Sequence, residues 1–205
     1  MHIRILTVLM KQKSLISQLA KIHNGTITHR ELALNGVSSY SISKAVQDGT
    51  LEKIRPGIYL FGDDTEDIFY SLQQKYKKGI YSLETALYLW GLSDQYPFSL
   101  DMTFPRGYNN PTLDIEINPH IQTKSLATQG ITQTESFNGN VINLYTPERT
   151  LAEILRPINA VDIEIITNAF KMWNKEKKKD INTLMSFAEK FRVTRKVNSY
   201  LEVLL

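Results

Sequence analysis

The fold is decided by residues 26–61, TITHRELALNGVSSYSISKAVQDGTLEKIRPGIYLF. Thr28 and Glu31 have the spacing of a capping box, in which two unpaired backbone donors at a helix amino terminus are satisfied reciprocally. Gly36 predicts the end of that helix, because a helix carboxyl terminus commonly needs a residue in the left-handed conformation. The start of this segment therefore predicts one short helix followed by a tight turn.

A second helix is predicted directly after this turn. Ser38 or Ser39 can cap its amino terminus, and Gly49 follows its last turn. At helical spacing one face of this helix is apolar, so we expect that face to be buried. The opposite face is polar and consists of Tyr40, Ser43, Lys44 and Gln47.

Two short strands are predicted next, at residues 51–54 and 58–61, on either side of a turn. Pro56 followed by Gly57 suits the two central positions of a type II turn. Two helices followed by a hairpin is the order of elements in a winged helix-turn-helix, in which the hairpin is the wing.

A polar and cationic helix face beside a cationic hairpin tip is suited to a phosphate backbone, so we predict DNA binding. The two serines at the helix amino terminus suit phosphate contacts, whereas Ser43 and Gln47 are the predicted base readers. The wing cations Lys53 and Arg55 would bind phosphate or reach into a minor groove. The predicted DNA-binding residues are Ser38, Ser39, Tyr40, Ser43, Lys44, Gln47, Lys53 and Arg55.

Other basic side chains are secondary candidates for DNA contact. They are Lys11, Lys13 and Arg30 near the amino terminus, and Lys177, Lys178, Lys179, Arg192, Arg195 and Lys196 near the carboxyl terminus. The alternative to DNA binding is protein binding, because helix-turn-helix units also occur in proteins that bind only other proteins.

The composition is that of an ordinary globular protein, with 205 residues, 42% of them hydrophobic, 22% charged and none of them cysteine. The absence of cysteine excludes disulfides and cysteine-ligated zinc. The length allows two small domains, and we predict a winged helix-turn-helix domain at 1–62 and a second domain at 63–205. We expect a cytoplasmic protein, because the sequence has neither a long apolar run nor the pattern of a secretory signal.

The net charge of +3 conceals a segregation of charge along the sequence. Residues 1–62 contain 8 Lys and Arg against 3 Asp and Glu, and residues 165–205 contain 9 against 4. Residues 63–164 contain 7 Lys and Arg against 14 Asp and Glu. The two basic ends therefore suggest surfaces that can approach nucleic acid, whereas the acidic middle would not do so by itself.

The second domain is predicted to be α+β. Strands are predicted at LDMTF (100–104), LDIEIN (113–118) and VINLY (141–145), and helices near 63–76, 82–90, 147–155, 160–175 and 180–203. The predicted fold class is thus α+β, with an amino-terminal winged helix-turn-helix domain followed by a carboxyl-terminal domain of helices around a small antiparallel sheet.

No catalytic, cofactor or metal site is predicted. The sequence contains no Walker or dinucleotide-binding pattern and no nucleophile elbow, and it has no thiol nucleophile. Metal-ligand spacing is absent among the histidines, which are His2, His23, His29 and His120.

Carboxylates on predicted strands are the most enzyme-like feature. Asp114 and Glu116 are two residues apart and would share one face of a strand, as the ligands of a Mg²⁺-dependent nuclease do. With Asp101 they form the candidate set for a nuclease. A half-solvated strand shows the same alternation, and we favour that structural interpretation.

The segment around Arg149 is a denser group of charges. Glu148 lies at a predicted helix amino terminus, where a negative charge is favourable. Arg149 and Glu153 are four residues apart and can pair on one helical face. A buried Arg149 would tie the helix to the sheet, and the alternative is that Arg149 belongs to a partner-binding surface.

Several segments, in the expected order, resemble AbiEi-family antitoxins of bacterial abortive-infection systems. They are GTIT (25–28), GTLEKIRPGIY (49–59), SLETAL (82–87), GLS (91–93), MTFPRG (102–107) and TPERTLAE (146–153). Glu153 stands where the family pattern would have aspartate, which is a small departure.

The resemblance implies a bifunctional antitoxin of a type IV toxin–antitoxin pair. The winged-helix domain would bind inverted repeats in the operon's own promoter, and the carboxyl-terminal domain would counteract a nucleotidyltransferase-like toxin without forming a stable complex with it. Two alternatives remain: a stand-alone transcriptional regulator whose second domain binds a ligand or dimerises, and the nuclease described above.

Overall fold

The structure is a computed structural model that describes residues 2–109 and 112–204, with side chains from Met10 onward. It is a mixed α+β protein that divides into two compact units. The first unit comprises Met1–Lys77 and Glu135–Ile142, and the second comprises Lys78–Thr134 and Asn143–Leu205. The functional division predicted after residue 62 stays a prediction.

The first unit contains the helices and the hairpin predicted from residues 26–61. Its strands pair in the order β1-β3-β2, and both pairs are antiparallel. Its elements are α1 (His2–Ile22), β1 (Thr26–Thr28), α2 (His29–Leu34), α3 (Ser39–Gln47), β2 (Leu51–Arg55), β3 (Ile58–Phe61) and α4 (Ile68–Lys75).

Local capping explains why α2 and α3 begin where they do. The Glu31 amide donates to the Thr28 hydroxyl at 3.1 Å, and the Thr28 amide donates to Glu31 Oε2 at 2.7 Å. Ser38 caps α3, because its hydroxyl accepts a hydrogen bond from the Ser41 amide at 3.1 Å. Gly36 has a φ of +82°, as the predicted turn requires. The predicted capping box and the predicted turn are therefore confirmed.

The core of the first unit lies between its helices and the β1-β3-β2 sheet. It consists of buried side chains from α1, α2, α3 and the strands, namely Ile16, Leu19, Ile27, Leu32, Val37, Ile42, Ala45, Leu51 and Tyr59. Full burial of one leucine or isoleucine contributes about 1.5–3 kcal/mol. The apolar face predicted for the second helix is thus buried, and this fixes which side of α3 faces outward.

Asp67 holds α4 and the segment 135–142 within the first unit. Its Oδ1 caps α4 by accepting a hydrogen bond from the Tyr70 amide at 3.1 Å. Its Oδ2 accepts hydrogen bonds from the Ser136 hydroxyl at 2.5 Å and from Asn140 Nδ2 at 2.9 Å. Because this carboxylate is buried, each of these hydrogen bonds compensates part of the cost of removing its charge from water.

The second unit is built on a mixed sheet with helices. The strands follow the order β6-β5-β4-β8-β7, and the turn that joins β7 to β8 belongs to the first unit. The elements are β4 (Ile80–Tyr81), α5 (Leu83–Leu89), β5 (Leu100–Pro105), β6 (Ile117–Gln122), α6 (Lys124–Ala127), β7 (Ile131–Glu135), β8 (Val141–Tyr145), α7 (Pro147–Ile154), a 3-10 turn (Pro157–Asn159), α8 (Ile163–Asn174), α9 (Ile181–Phe191) and α10 (Thr194–Leu204).

The direction of the strands corrects the prediction of an antiparallel sheet. β4 and β5 are antiparallel, but β4 pairs with β8, and β5 with β6, in parallel. The prediction of a purely antiparallel sheet is therefore wrong. Two parallel strands require a crossover connection, which returns the chain to the end of the sheet at which the first strand began. Alternation of apolar residues within a strand carries no information about that path.

The last predicted helix is divided into two. Arg192 adopts a left-handed conformation with a φ of +59°, and α9 ends there before α10 begins at Thr194. The apolar pattern continues across the break, since Val193 and Val197 are both buried. Periodicity alone therefore predicted one helix where the chain turns. None of the helices in the described residues is both long and apolar enough to cross a membrane.

The core of the second unit lies where α7 packs against the other helices. Seven residues of α7 are buried, and they include the charged residues Glu148, Arg149 and Glu153. Glu148 Oε1 accepts a hydrogen bond from the indole nitrogen of Trp173 at 3.2 Å. Arg149 has no exposed surface, so it contributes to the interior of the second unit and not to a partner-binding surface.

Candidate nucleic-acid interface

The outward face of α3 is polar and exposed. Ile42 and Ala45 point into the core, so the side chains on the other side of the helix point to solvent. Tyr40 is 59% exposed, which is a large fraction for an aromatic side chain. The predicted face is assembled as expected, and its exposed members are Ser39, Tyr40, Ser43, Lys44 and Gln47.

Two of these side chains form a pair on the exposed face of α3. Lys44 Nζ donates a hydrogen bond to Gln47 Oε1 at 2.8 Å. The pair orients the Gln47 amide and leaves the lysine charge at the surface. A glutamine amide can read an adenine edge through two hydrogen bonds, and a lysine can bind guanine or phosphate. These two side chains therefore carry the polar groups that base reading would require.

The amino end of α3 is held in place by α1. Gln12 Nε2 donates to the Gly36 carbonyl at 3.0 Å, and Gln12 Oε1 accepts from the Ser38 amide at 2.9 Å. The Ser38 hydroxyl is occupied by its capping bond and lies 2.9 Å from the Ser41 hydroxyl. Ser39 is thus the serine better placed to contact a phosphate. Sequence reasoning missed Gln12, because its role depends on a contact 24 residues away.

The β2-β3 hairpin, which is the predicted wing, presents one exposed cation and one cation that is already ion-paired. Lys53 is exposed on β2. The pairing of β2 with β3 shifts register between Lys53 and Arg55. Arg55 Nε lies 2.9 Å from Glu66 Oε1, and the Arg55 side chain is only 14% exposed. Part of the Arg55 charge is therefore neutralised, which makes Lys53 the stronger candidate for a phosphate contact.

The secondary candidates of the first unit differ in their surroundings. Lys11 and Arg30 are exposed. Lys13 Nζ forms an ion pair with Asp48 Oδ2 at 3.1 Å near the end of α3. Hydrogen bonds from Thr50, together with Lys13, lower the pKa of Asp48 to about 2. Asp48 therefore carries a negative charge at neutral pH beside the polar face of α3.

The carboxyl-terminal basic residues lie in the second unit and are only partly available. Lys179 Nζ donates to the Asn174 carbonyl at 2.6 Å, and Lys196 Nζ donates to the Leu155 carbonyl at 2.9 Å. Lys179 thus bonds to the carbonyl at the end of α8, and Lys196 bonds to the carbonyl of the residue that follows α7. The exposed members of this group are Lys177, Lys178, Arg192, Arg195 and Lys196.

The structure does not assemble the carboxylates that the nuclease alternative requires. Asp114 and Glu116 precede β6, which begins at Ile117, so they do not share one face of a strand. Asp101 Oδ1 instead lies 2.7 Å from His120 Nε2 and accepts a hydrogen bond from Asn118 Nδ2 at 2.8 Å. Among the described residues, no group of three or more His, Asp or Glu side chains could hold a metal ion.

The histidines near α2 have polar neighbours within the first unit. His23 Nδ1 lies 3.4 Å from Glu31 Oε1, and His29 Nε2 lies 3.5 Å from the Ser39 hydroxyl. The Tyr70 hydroxyl also donates to Glu31, and burial together with Glu31 raises the pKa of Tyr70. His23, Glu31 and Tyr70 thus form a polar cluster within the first unit, whereas His29 lies beside Ser39 at the amino end of α3.

Comparisons with known proteins give one similar fold and one family match. No curated protein matches the chain. The crystal structure of the RV2827C protein from Mycobacterium tuberculosis is similar, with a TM-score of 0.52 and 13% sequence identity over 94% of this chain and 81% of that chain. At this identity the likeness concerns the fold alone. Residues 14–62 match a family model described as "Transcriptional regulator, AbiEi antitoxin". The predicted resemblance is therefore confirmed over residues 14–62, where the chain matches the AbiEi antitoxin family of transcriptional regulators.

Proposed function

We propose that this chain is a bifunctional antitoxin and transcriptional autorepressor of a type IV toxin–antitoxin system that acts in abortive phage infection. One observation carries the proposal: the family match over residues 14–62 covers the two helices and the hairpin, and in this segment α3 presents an exposed polar face. We further propose that the protein acts in the cytoplasm, where promoter DNA and a toxin would both be accessible.

The first part of the proposal is a winged helix-turn-helix that binds inverted-repeat promoter DNA. α3 would enter the major groove, where Lys44 and Gln47 read bases. Ser39 at the start of α3 and Lys53 on the wing would contact phosphates on either side. An inverted repeat requires two copies of the chain on the DNA, one for each half-site.

The second part of the proposal assigns antitoxicity to the carboxyl-terminal domain, residues 63–205. This part would counteract a nucleotidyltransferase-like toxin without a stable complex, and it rests on the resemblance of segments such as 82–87 and 146–153 to the family. The competing proposal is a stand-alone winged-helix regulator whose second domain binds a ligand or dimerises. The two proposals differ in one testable property, which is protection from the toxin.

DNA binding is tested on the full chain with the double variant Lys44→Ala/Gln47→Ala. Fluorescence anisotropy with the operon's own promoter duplex should show a loss of affinity of at least about thirtyfold, because the two base contacts contribute about 1–3 kcal/mol each. The matched control is Gln18→Ala/Lys21→Ala, which removes the same two residue types at the same spacing from an exposed part of α1. Equal affinities of the two double variants would refute the assignment of α3 as the reading helix.

Antitoxicity is tested by co-expressing the full chain with the neighbouring toxin. We expect the wild type to restore growth and to repress a promoter reporter. Lys44→Ala/Gln47→Ala should lose repression and retain rescue, because it changes the DNA-reading face alone. If the wild type represses the reporter but does not restore growth, the stand-alone regulator is the correct function.

A further inference from the structure

A cationic groove lies between the start of α2, the turn of the β2-β3 hairpin and the end of α4. All of its lining residues belong to the first unit, and its volume is about 250 Å³. The α2 side of the groove contributes His29 and Arg30, the hairpin turn contributes Pro56 and Gly57, and the α4 side contributes Lys75 and Lys77. The basic residues at the end of α4 were not among the predicted DNA contacts.

The charged side chains that line the groove, Arg30, Lys75 and Lys77, are all basic. None of the described residues that line it is acidic. Arg30 and Lys77 are exposed, and Lys75 Nζ lies 5.2 Å from the centre of the Tyr76 ring. The nearest carboxylate in sequence, Glu31, is turned toward the interior, where it accepts hydrogen bonds from Thr28 and Tyr70. The positive charge of the groove is therefore not neutralised by the residue that follows Arg30.

The groove is joined directly to the amino end of α3. The His29 amide donates to the Gly57 carbonyl at 2.7 Å, which ties the hairpin turn to the start of α2. The His29 ring lies 3.5 Å from the Ser39 hydroxyl through Nε2. A polyanion that contacts Ser39 at the start of α3 can thus continue past His29 into the groove.

We propose that this groove binds the sugar–phosphate backbone of the duplex that α3 reads, with Arg30, Lys75 and Lys77 as the cations that contact phosphate. The inference rests on the proposed DNA-binding function and extends the contact surface beyond α3 and the wing. A backbone fits this groove better than a free anion does, because Arg30 and Lys77 are exposed. Exposed cations bind a single small anion weakly in water, whereas a backbone supplies several phosphates at once.

The test measures the salt dependence of DNA binding by the full chain. Each phosphate contact contributes about 0.9 to the slope of log affinity against log salt concentration. Arg30→Ala/Lys77→Ala should therefore lower the slope by about two units, equally on promoter and on random duplexes. Between 50 and 200 mM salt, the affinity of the wild type should then fall roughly tenfold more than that of the variant.

Two controls make the result decisive. Lys21→Ala removes an exposed lysine of α1 that does not line the groove, and it should leave the slope unchanged. Inorganic phosphate should not compete with the duplex when ionic strength is held constant with chloride, and competition would indicate a small-anion site instead.

The outcomes separate this inference from the proposed function. If Arg30→Ala/Lys77→Ala keeps the wild-type slope while Lys44→Ala/Gln47→Ala loses promoter affinity, the groove does not bind the backbone. The assignment of α3 as the DNA-reading helix is then unaffected. Failure of the wild type to bind any duplex would overturn both. A slope lowered by the groove variant alone, with Lys21→Ala unchanged, would support the groove.

Discussion

Replacing Arg149 by methionine should destabilise the second unit strongly. The guanidinium is fully buried, and its Nη1 donates to the Leu126 carbonyl at 2.5 Å and to the Gln129 carbonyl. Its Nε donates to Glu153 Oε2 at 3.4 Å, and its central carbon lies 3.3 Å from the centre of the Tyr145 ring. Arg149→Met keeps much of the side-chain volume but removes every one of these polar contacts.

The size of the effect follows from the group that is left behind. Glu153 is only 2% exposed, so in Arg149→Met its carboxylate loses its closest cation in the interior. Removing one partner of a buried ion pair costs about 3–5 kcal/mol in free energy of unfolding. Gln122 still donates to Glu153 Oε1 at 2.7 Å, and Arg156 Nη1 lies 3.8 Å from the same oxygen, which together favour the lower half of that range.

A double variant separates the buried charge from the loss of packing. Arg149→Met/Glu153→Gln has no buried charge at these positions, and a glutamine amide can still accept the hydrogen bond from Gln122. We expect the double variant to be about 2 kcal/mol more stable than Arg149→Met, because replacing both partners of a buried pair costs less than removing one.

The assay is urea unfolding followed by tryptophan fluorescence. Trp90 and Trp173 both lie in the second unit, so the signal reports on the unit that contains Arg149. A change of less than about 1 kcal/mol for Arg149→Met would show that the ion pair contributes little. A double variant no more stable than Arg149→Met would refute the assignment of the cost to the charge of Glu153.

Four further substitutions test local features of the first unit. Gly25→Ala and Gly36→Ala both place alanine at a positive φ, of +84° and +82°, which costs about 1–2 kcal/mol of stability. Calorimetry should show the larger loss of stability for Gly25→Ala, because the new Cβ would lie 2.5 Å from the Asp64 side chain. The pKa of Asp48 is lower in the folded chain than its ordinary value of 3.8, so its ionised carboxylate stabilises the folded state at pH values above 3.8. This stabilisation is lost as the pH falls toward about 2. NMR titration of Thr50→Ala should move that pKa up toward 3.8, because the Thr50 side chain is the largest cause of the shift. Asp67→Ala removes a helix cap, which costs about 1 kcal/mol, and hydrogen exchange should accelerate at the turn between β7 and β8; exchange unchanged from the wild type would contradict the anchoring role of that carboxylate.

The sequence by itself determined the features that depend on neighbours a few residues apart. Thr28 with Glu31, the serine before α3 and glycine in the turn specify where α2 and α3 begin and end, because a cap and its backbone partners lie within one helical turn. The spacing of Ile42 and Ala45 determined which face of α3 is buried and hence which face is exposed. This is why the polar face was correctly predicted.

Only the tertiary structure decided the features that depend on residues far apart in sequence. The partner of Arg55 is Glu66, and Asp67 is hydrogen-bonded to Ser136, 69 residues away. The parallel pairing of β5 with β6 and the cationic groove beside α2 likewise depend on how distant segments return to one another. A local pattern records which side chains favour burial, but it does not record which distant group completes their hydrogen bonds or ion pairs. The surface that would meet DNA is for that reason only partly readable from the sequence.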